Sequence, residues 1–260
     1  MTGQHSLEST LLTTEQVNQL LNYPNGSLEI LQLRQRELAT YHLDGLYAVG
    51  NKAIGNLQIL GLGYVGLVVL ATKNQQHFAL KIRRTNSKKA NLQAEATALK
   101  QANQLGIAPQ IYQASDNFIL MEYVIGQPFL EWLQRAIADK NHKAIHTVLD
   151  SLLEQAFQLD QIGLDRDDMK CITKDVIVTK KGQPVLLDFS GASGDRRPQN
   201  VTALVQGLFW GSVIANYLKP LFPYCNPDLL LPNLRLYKAQ PHLSNFMALK
   251  QAINLSSSNL

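Results

Sequence analysis

The chain has 260 residues, 45% of them hydrophobic and 17% charged, so it has the composition of a folded protein with room for one large domain or two lobes. Its formal net charge of +4 is too small to require a polyanionic partner, and nucleic acid is only weakly indicated. Two distant cysteines, Cys171 and Cys225, exclude a disulfide framework or a zinc ribbon and favour a reducing compartment.

Neither membrane insertion nor secretion is expected. The longest apolar run, residues 59–71, contains three glycines and is shorter than the roughly 20 residues that a spanning helix needs. Residues 1–5 do not begin a signal peptide, because no apolar core follows a basic region. We therefore expect a cytoplasmic protein with no membrane partner.

The first 50 residues are expected to form a helical N-terminal extension. Thr13 is a suitable N-cap for a helix that ends near Asn22, and a second helix is predicted from Ser27 onwards. From residue 57 the pattern changes to that of strands, interrupted by one helix at residues 89–105. The predicted strands are residues 57–60, 67–71, 77–82 and 118–121.

The second half is predicted to be mostly helical. Residues 129–162 carry a helical pattern almost throughout, and two short strands follow at residues 176–179 and 184–187. The remainder is predicted as helices broken by prolines at positions 220, 223, 227, 232 and 241. A strand-rich first half and a helix-rich second half predict a two-lobed α+β protein with a cleft between the lobes.

A glycine-rich motif occurs at Gly61, Gly63 and Gly66, where backbone amides can approach phosphate oxygens without interference from Cβ atoms. The motif fits two unrelated folds. In a dinucleotide-binding fold, a helix should follow the third glycine and an acid should follow about 20 residues on. Here the next segment is β-branched, and no Asp or Glu occurs between Gly61 and Ala94, so an NADP-binding oxidoreductase is the less favoured alternative.

A second set of polar residues follows in a fixed order. Ala79 and Lys81 lie on a predicted strand after the glycines, and Glu95 on the next helix is the first acid available to hold the lysine. Asp188 and Phe189 then end a short strand, where a carboxylate could bind Mg²⁺. Three acids precede them at positions 165, 167 and 168. Arg196 and Arg197 follow, and could bind a phosphate or cap a helix.

As an ordered set, residues 61–192 resemble the protein-kinase-like superfamily, in particular the small predicted serine/threonine protein kinases of archaea and some bacteria. Two further strings carry this resemblance, Leu159-Asp160-x-x-Gly163 and Arg196-Arg197-Pro198-x-Asn200-Val201-Thr202. The resemblance implies an α+β, two-lobed protein-kinase-like fold. Its expected parts are an N-terminal extension at residues 1–50, an N-lobe at 51–124 and a truncated helical C-lobe at 125–260.

The resemblance also implies an ATP- and Mg²⁺-dependent phosphotransferase, with a protein or a small molecule as phosphoacceptor. Asp168 stands in the position of the catalytic aspartate, Lys81 would hold the phosphates with Glu95 to orient it, and Asp188 and Asp175 would bind the metal. The expected nucleotide-binding residues are Gly61, Gly63, Gly66, Val68, Ala79, Lys81, Met121, Glu122 and Val124.

The catalytic loop departs from the family pattern. Arg166 replaces the expected histidine, and Thr173 occupies the position of the expected asparagine. These departures leave open a nucleotide-binding pseudokinase with a regulatory or scaffold role.

Overall fold

A computed structural model describes residues 9–170 and 172–255. Cys171 and the first eight residues, on which two of the expectations depend, lie outside these ranges. The chain divides into two compact units. The N-terminal unit comprises the residues up to Lys100 together with Pro109–Tyr123, and the C-terminal unit comprises Gln101–Ala108 and the residues from Val124 onwards. The finer boundaries expected near residues 50 and 124 stay predictions.

The described residues form a mixed fold of antiparallel sheets and ten helices, which is compatible with the α+β class. The elements up to residue 122 are β1 (Thr10–Leu11), α1 (Thr14–Leu21), α2 (Leu28–Ala39), β2 (Gly45–Ala48), β3 (Lys52–Ile54), β4 (Leu57–Ile59), β5 (Gly61–Leu62), β6 (Gly66–Lys73), β7 (Gln76–Arg83), α3 (Gln93–Gln104), β8 (Ile111–Ala114) and β9 (Phe118–Glu122). Strands β1-β2-β6-β7-β9-β8 form one sheet in that order, and β5 pairs with β6.

The later elements are mainly helical and enclose a small sheet of order β10-β11-β12. They are β10 (Gly126–Pro128), α4 (Phe129–Ala138), α5 (His142–Gln161), α6 (Ile172–Asp175), β11 (Val176–Thr179), β12 (Pro184–Leu186), α7 (Asn200–Phe209), α8 (Val213–Leu218), α9 (Pro227–Ala239) and α10 (Leu243–Ile253). None of the helices in the described ranges combines the length and apolar character needed to cross a membrane.

Local sequence signals explain several of these elements. Thr13 caps α1 through a capping box with Gln16, and the Ser27 side chain accepts a hydrogen bond from the Ile30 amide at the start of α2. Asn74 and Gln75 both have φ in the left-handed region, the geometry of the tight turn that joins β6 to β7. The two predicted helix starts are therefore confirmed.

The core of the N-terminal unit lies beneath one face of its large sheet. Alternate residues of β6 and β7 point into it, as the two-residue period of a strand requires, and α1 covers it with two leucines. The residues from these three elements are Leu67, Val69, Ala71, Phe78, Leu80, Ile82, Leu20 and Leu21.

Three secondary-structure expectations need correction. The first 50 residues are not wholly helical, because β2 pairs with β6 through contacts distant in sequence. Helix α3 begins at Gln93 rather than at residue 89, because the Leu92 amide bonds to the Asp116 carbonyl and Asn91 caps Gln93. The prediction that residues 129–162 are almost wholly helical is confirmed, and the two helices there are separated where Lys140 adopts a positive φ.

The third correction concerns Pro232, which lies inside α9 rather than ending it. A proline there removes one helical hydrogen bond. Helix α9 buries Leu230, Leu234 and Tyr237, and this packing offsets the loss.

Helix α2 is fastened to the sheet by a polar turn between β8 and β9, residues 115–117. The Glu37 carboxylate accepts hydrogen bonds from the Ser115 hydroxyl (2.5 Å), the Asn117 amide (2.9 Å) and the Asn117 side chain (2.6 Å). Buried Arg34 donates to the Asn117 side chain (3.2 Å), and burial together with the charge of Arg83 lowers the pKa of Arg34 to about 10, although Glu37 partly opposes the shift. Because the Asp116 carbonyl also accepts from Leu92, this turn links α2 to the start of α3.

We expect Glu37→Ala to lower the free energy of unfolding by about 3 kcal/mol, because it leaves the donors of Ser115 and Asn117 without their acceptor. Urea unfolding followed by circular dichroism measures the change. Glu29→Ala, at an exposed position in the first turn of the same helix, should cost less than about 1 kcal/mol. Equal losses in the two variants would contradict the role given to the 115–117 turn.

Candidate functional site

The glycine motif forms the turn of an antiparallel hairpin between β5 and β6. Gly61 pairs with Val68, and the Gly63 amide donates to the Gly66 carbonyl at 2.9 Å. The residues after Gly66 continue as an eight-residue strand, β6. A dinucleotide-binding loop instead joins a parallel strand to a helix, so this hairpin counts against the oxidoreductase alternative.

The three glycines are not equivalent in their surroundings. A Cβ atom on Gly66 would lie 2.7 Å from the Ile82 carbonyl oxygen, so the fold itself requires glycine there. A Cβ on Gly61 or Gly63 would make only ordinary contacts at 3.6 Å, and neither residue has a positive φ. Because the fold does not require glycine at these two positions, close approach of a ligand to their backbone is the better explanation.

We expect Gly63→Ala to change the free energy of unfolding by less than about 0.5 kcal/mol, whereas Gly66→Ala should cost about 1–3 kcal/mol through its clash with Ile82. If Gly63 faces a nucleotide, its alanine variant should nonetheless bind ATP about tenfold more weakly. Chemical unfolding and calorimetric titration measure the two quantities. Unchanged ATP affinity in the stable Gly63 variant would remove the ligand explanation for this glycine.

A buried ion pair lies beside the hairpin. Lys81 on β7 is the cross-strand partner of Val68, and its Nζ lies 2.5 Å from Oε1 of Glu95 in the first turn of α3. Both residues are 6% exposed. Burying two charges costs desolvation energy that their attraction does little more than offset, so this pair is a poor source of stability and a good indicator of function.

The other predicted nucleotide-binding positions lie on neighbouring strands. Buried Ala79 on β7 pairs with buried Met121 on β9, and exposed Glu122 at the end of β9 pairs with Phe78. Val124 is half-buried and belongs to the C-terminal unit. The N-terminal unit therefore gathers the glycine hairpin, Val68, Ala79, Lys81, Glu95 and Met121 on adjacent elements.

In the C-terminal unit, Arg166 lies at the centre of a group of acids. Its side chain is 2% exposed and interacts electrostatically with Asp175, Asp188 and Asp168. Burial lowers the pKa of Arg166, and these three carboxylates oppose that shift. Burial raises the pKa of Asp175, as do its neighbours Asp188 and Asp168, while Arg166 lowers it. The three acids predicted for metal binding and catalysis therefore all interact electrostatically with Arg166.

Backbone pairing explains how Asp175 and Asp188 come together. Val176 of β11 pairs with Leu186 of β12, and the Leu187 amide continues the register by donating to the Asp175 carbonyl at 2.8 Å. Asp188 follows directly, and its Oδ1 accepts a hydrogen bond from the Ser190 amide at 2.9 Å. The two acids therefore stand at the same end of one hairpin.

Arg166 also positions the segment that carries Asp188. Its Nε donates to the Asp188 carbonyl at 2.9 Å, and its guanidinium lies 5.6 Å from the centre of the Phe189 ring. Arg166 stands in the sequence position of the expected histidine. The arginine at this position therefore places a buried positive charge among the acids, and its hydrogen bond to the Asp188 carbonyl holds the segment that follows β12.

A network of hydrogen bonds that the sequence did not link to any function holds residues 164–166 in place. The Asn200 side chain accepts from the Arg166 amide (2.9 Å) and donates to the Leu164 carbonyl (2.8 Å). Asp160 in turn accepts from the Asn200 backbone (2.9 Å), the Asn200 side chain (2.8 Å) and the Tyr237 hydroxyl (2.8 Å). Burial raises the pKa of Asp160, and these hydrogen bonds lower it in part. Asp160 and Asn200 each occur in one of the two sequence strings that resemble the kinase-like superfamily, and this resemblance could have pointed to the network.

The remaining acids of the loop differ in their surroundings. Asp168 is exposed, whereas Asp165 accepts hydrogen bonds from Arg196 Nε (2.9 Å) and the Gln199 amide (3.3 Å). Asp167 is exposed and has a positive φ, and its Oδ1 lies 3.5 Å from Nη1 of Arg196. Arg197 donates to the carbonyls of Lys238 and Ala239 at the end of α9. Arg197 therefore caps a helix, which is one of the two roles left open for it, whereas Arg196 joins two of the loop acids.

Asp188 and Asp175 could hold a magnesium ion only together with ligands from a substrate and water. In the described ranges, no group of three or more His, Cys, Asp or Glu side chains is arranged to bind a metal by itself. Protein-bound Mg²⁺ commonly takes only one or two carboxylates and completes its shell with phosphates and water. Asp188 and Asp175 are a donor set of this kind.

Comparison with known proteins gives one distant similarity. The chain is 28% identical over 189 residues to a Bacillus subtilis (strain 168) protein named "Putative serine/threonine-protein kinase YrzF", and the match covers 70% of this chain and 79% of that protein. No protein-family model matches the sequence. The similarity supports a distant kinase-like relationship and agrees with the order of motifs along the chain.

Proposed function

We propose that this protein is an ATP- and Mg²⁺-dependent phosphotransferase that acts on an alcohol group, as an atypical serine/threonine protein kinase does. In this proposal the two units are the lobes of a kinase-like fold, with a shortened helical C-terminal lobe. The buried Lys81–Glu95 pair beside the glycine hairpin is the observation that carries the proposal. A lysine held in this way is suited to binding phosphate oxygens.

Each group then has a definite role. The amides of the hairpin and Lys81 bind the nucleotide phosphates, and Glu95 fixes the lysine. Asp188 and Asp175 hold Mg²⁺, which neutralises charge on the phosphates. Asp168 orients the acceptor hydroxyl and takes its proton as the oxygen bonds to the γ-phosphorus and the bond to ADP breaks. Positioning and charge neutralisation supply most of the rate in this class of reaction.

A nucleotide-binding pseudokinase is the second candidate, and one observation favours it. The buried Arg166 places a positive charge among the acids that would attract the metal. That charge reduces the attraction of the acid cluster for a cation. The two candidates differ in turnover, because the pseudokinase binds ATP without releasing ADP.

We expect ATP with Mg²⁺ to raise the melting temperature of the wild-type protein, and NADPH to leave it unchanged. Lys81→Met should weaken ATP binding about tenfold to a hundredfold, because it removes a charged hydrogen bond to phosphate. Thermal shift and calorimetric titration measure these effects, with the exposed Lys100→Met as a control for the same change of charge. Stabilisation by NADPH and not by ATP would reject the proposal.

A further inference from the structure

A cavity in the C-terminal unit lies next to the loop that carries Asp168 and is not used by the proposed reaction. Its volume is about 270 Å³, and it lies between one face of α7 and one face of α9. The residues that line it are Lys170, Gln199, Thr202, Ala203, Gln206, Leu231, Leu234, Arg235 and Lys238. An apolar floor with a polar and basic rim is a common design for a small-molecule site.

The charge of this cavity has one sign. Lys170, Arg235 and Lys238 contribute three cations, and none of the lining residues is acidic. Within the described part of the chain, no carboxylate forms an ion pair with any of the three. Arg235 and Lys238 are also neighbours on one face of α9, where like charges repel. This arrangement of like charges does not stabilise the fold, but it would stabilise a bound anionic ligand.

The adjoining space extends the same chemistry. A smaller cavity next to it shares Gln199, Thr202 and Lys238 and adds Arg197. It contains one acid, Asp160, whose oxygens are already occupied by donors from Asn200, Val201 and Tyr237. These hydrogen bonds hold Asp160 in the fold, and among the described residues it forms no ion pair with Arg197 or Lys238.

The position of Lys170 connects the cavity to the catalytic loop. Lys170 follows Asp168 by two residues, and its backbone presses against α7, where a Cβ on Gly207 would lie 2.8 Å from the Lys170 Cα. A ligand held by Lys170 would thus contact the loop that carries Asp168.

We propose that this cavity binds the phosphate monoester of an acceptor that is already phosphorylated. The three cations and the side-chain amides of Gln199 and Gln206 are hydrogen-bond donors suited to the oxygens of a phosphate dianion. The assignment of this ligand to the acceptor rests on the proposed phosphotransferase function, whereas the binding of the phosphate does not. The phosphate belongs either to a small phosphorylated alcohol or to a phosphorylated serine side chain.

The test measures binding in the absence of nucleotide. Calorimetric titrations use sn-glycerol 3-phosphate, a short phosphoserine peptide and the same peptide without phosphate. We expect Arg235→Gln/Lys238→Gln to weaken binding of the phosphorylated ligand at least about tenfold. The matched control is Lys180→Gln/Lys181→Gln, which removes two exposed cations from the turn between β11 and β12 and should leave binding unchanged.

The outcomes separate the cavity from the enzyme. Tight binding of glycerol phosphate supports a small acceptor, and binding of the phosphopeptide alone supports a protein acceptor. Failure of every phosphorylated ligand to bind the wild type, or equal loss in the two double variants, would overturn the phosphate site. Asp188→Asn should bind phosphate monoesters as the wild type does. A wild-type protein that binds phosphate monoesters but not ATP would refute the phosphotransferase and leave the phosphate site standing.

Discussion

Asp188→Asn is expected to lower the rate of Mg²⁺-dependent phosphate transfer by about a thousandfold or more, because it removes the negative charge that holds the metal. Asparagine keeps an oxygen in the position that accepts the Ser190 amide, so the turn after β12 should stay folded. The measurement is ADP release together with transfer of labelled phosphate to the protein or to a generic acceptor.

Asp195→Asn is the matched control for this prediction. Asp195 is exposed on the same connection between β12 and α7, and its replacement changes the net charge by the same amount. It should leave the rate within about twofold, since no catalytic role is assigned to it. If both variants keep the wild-type rate, the acid cluster does not take part in catalysis. An inactive wild type that still binds ATP would favour the pseudokinase.

Asp160→Ala is expected to lower the free energy of unfolding by about 3–5 kcal/mol, the largest stability effect that we predict. The substitution leaves donors of Asn200, Val201 and Tyr237 without their acceptor in a largely buried place. Because Asn200 also holds the Arg166 backbone, phosphate transfer should fall as well. Urea unfolding and the transfer assay are the two measurements.

Tyr237→Phe separates the parts of this effect. It removes only the hydrogen bond from the Tyr237 hydroxyl to Asp160, so it should cost about 1 kcal/mol and leave transfer nearly unchanged. A loss in Tyr237→Phe as large as that in Asp160→Ala would mean that the packing of α9, rather than the Asp160–Asn200 pair, supports the loop.

The features that could be predicted from the sequence are those with local causes. Caps at Thr13 and Ser27 define helix starts within a few residues, and alternating apolar residues define β6 and β7. The order of Lys81, Glu95 and Asp188 along the chain also suggested a phosphotransfer site, which stays a prediction. Within the N-terminal unit, the structure places Lys81 and Glu95 in contact.

The features that could not be predicted depend on contacts between distant residues. No pattern around Gly45 shows that β2 pairs with β6, because a four-residue strand has little periodicity of its own. Likewise, the sequence identifies Arg166 as a replaced histidine but not as a buried cation that holds the Asp188 carbonyl. The role of Asn200 depends on bringing α7 against residues 164–166, which only the tertiary structure shows.

The pairing of β2 with β6 has a practical consequence for anyone who shortens this protein. A truncation at residue 50, the boundary that the sequence suggests, would remove the strand that covers the residues from Leu70 to Thr72. The backbone donors and acceptors of β6 along that stretch would then form an open sheet edge, which promotes association between molecules. The same cut would take away buried Tyr41 and Leu46. A shortened version that keeps this sheet edge covered should therefore begin before α1.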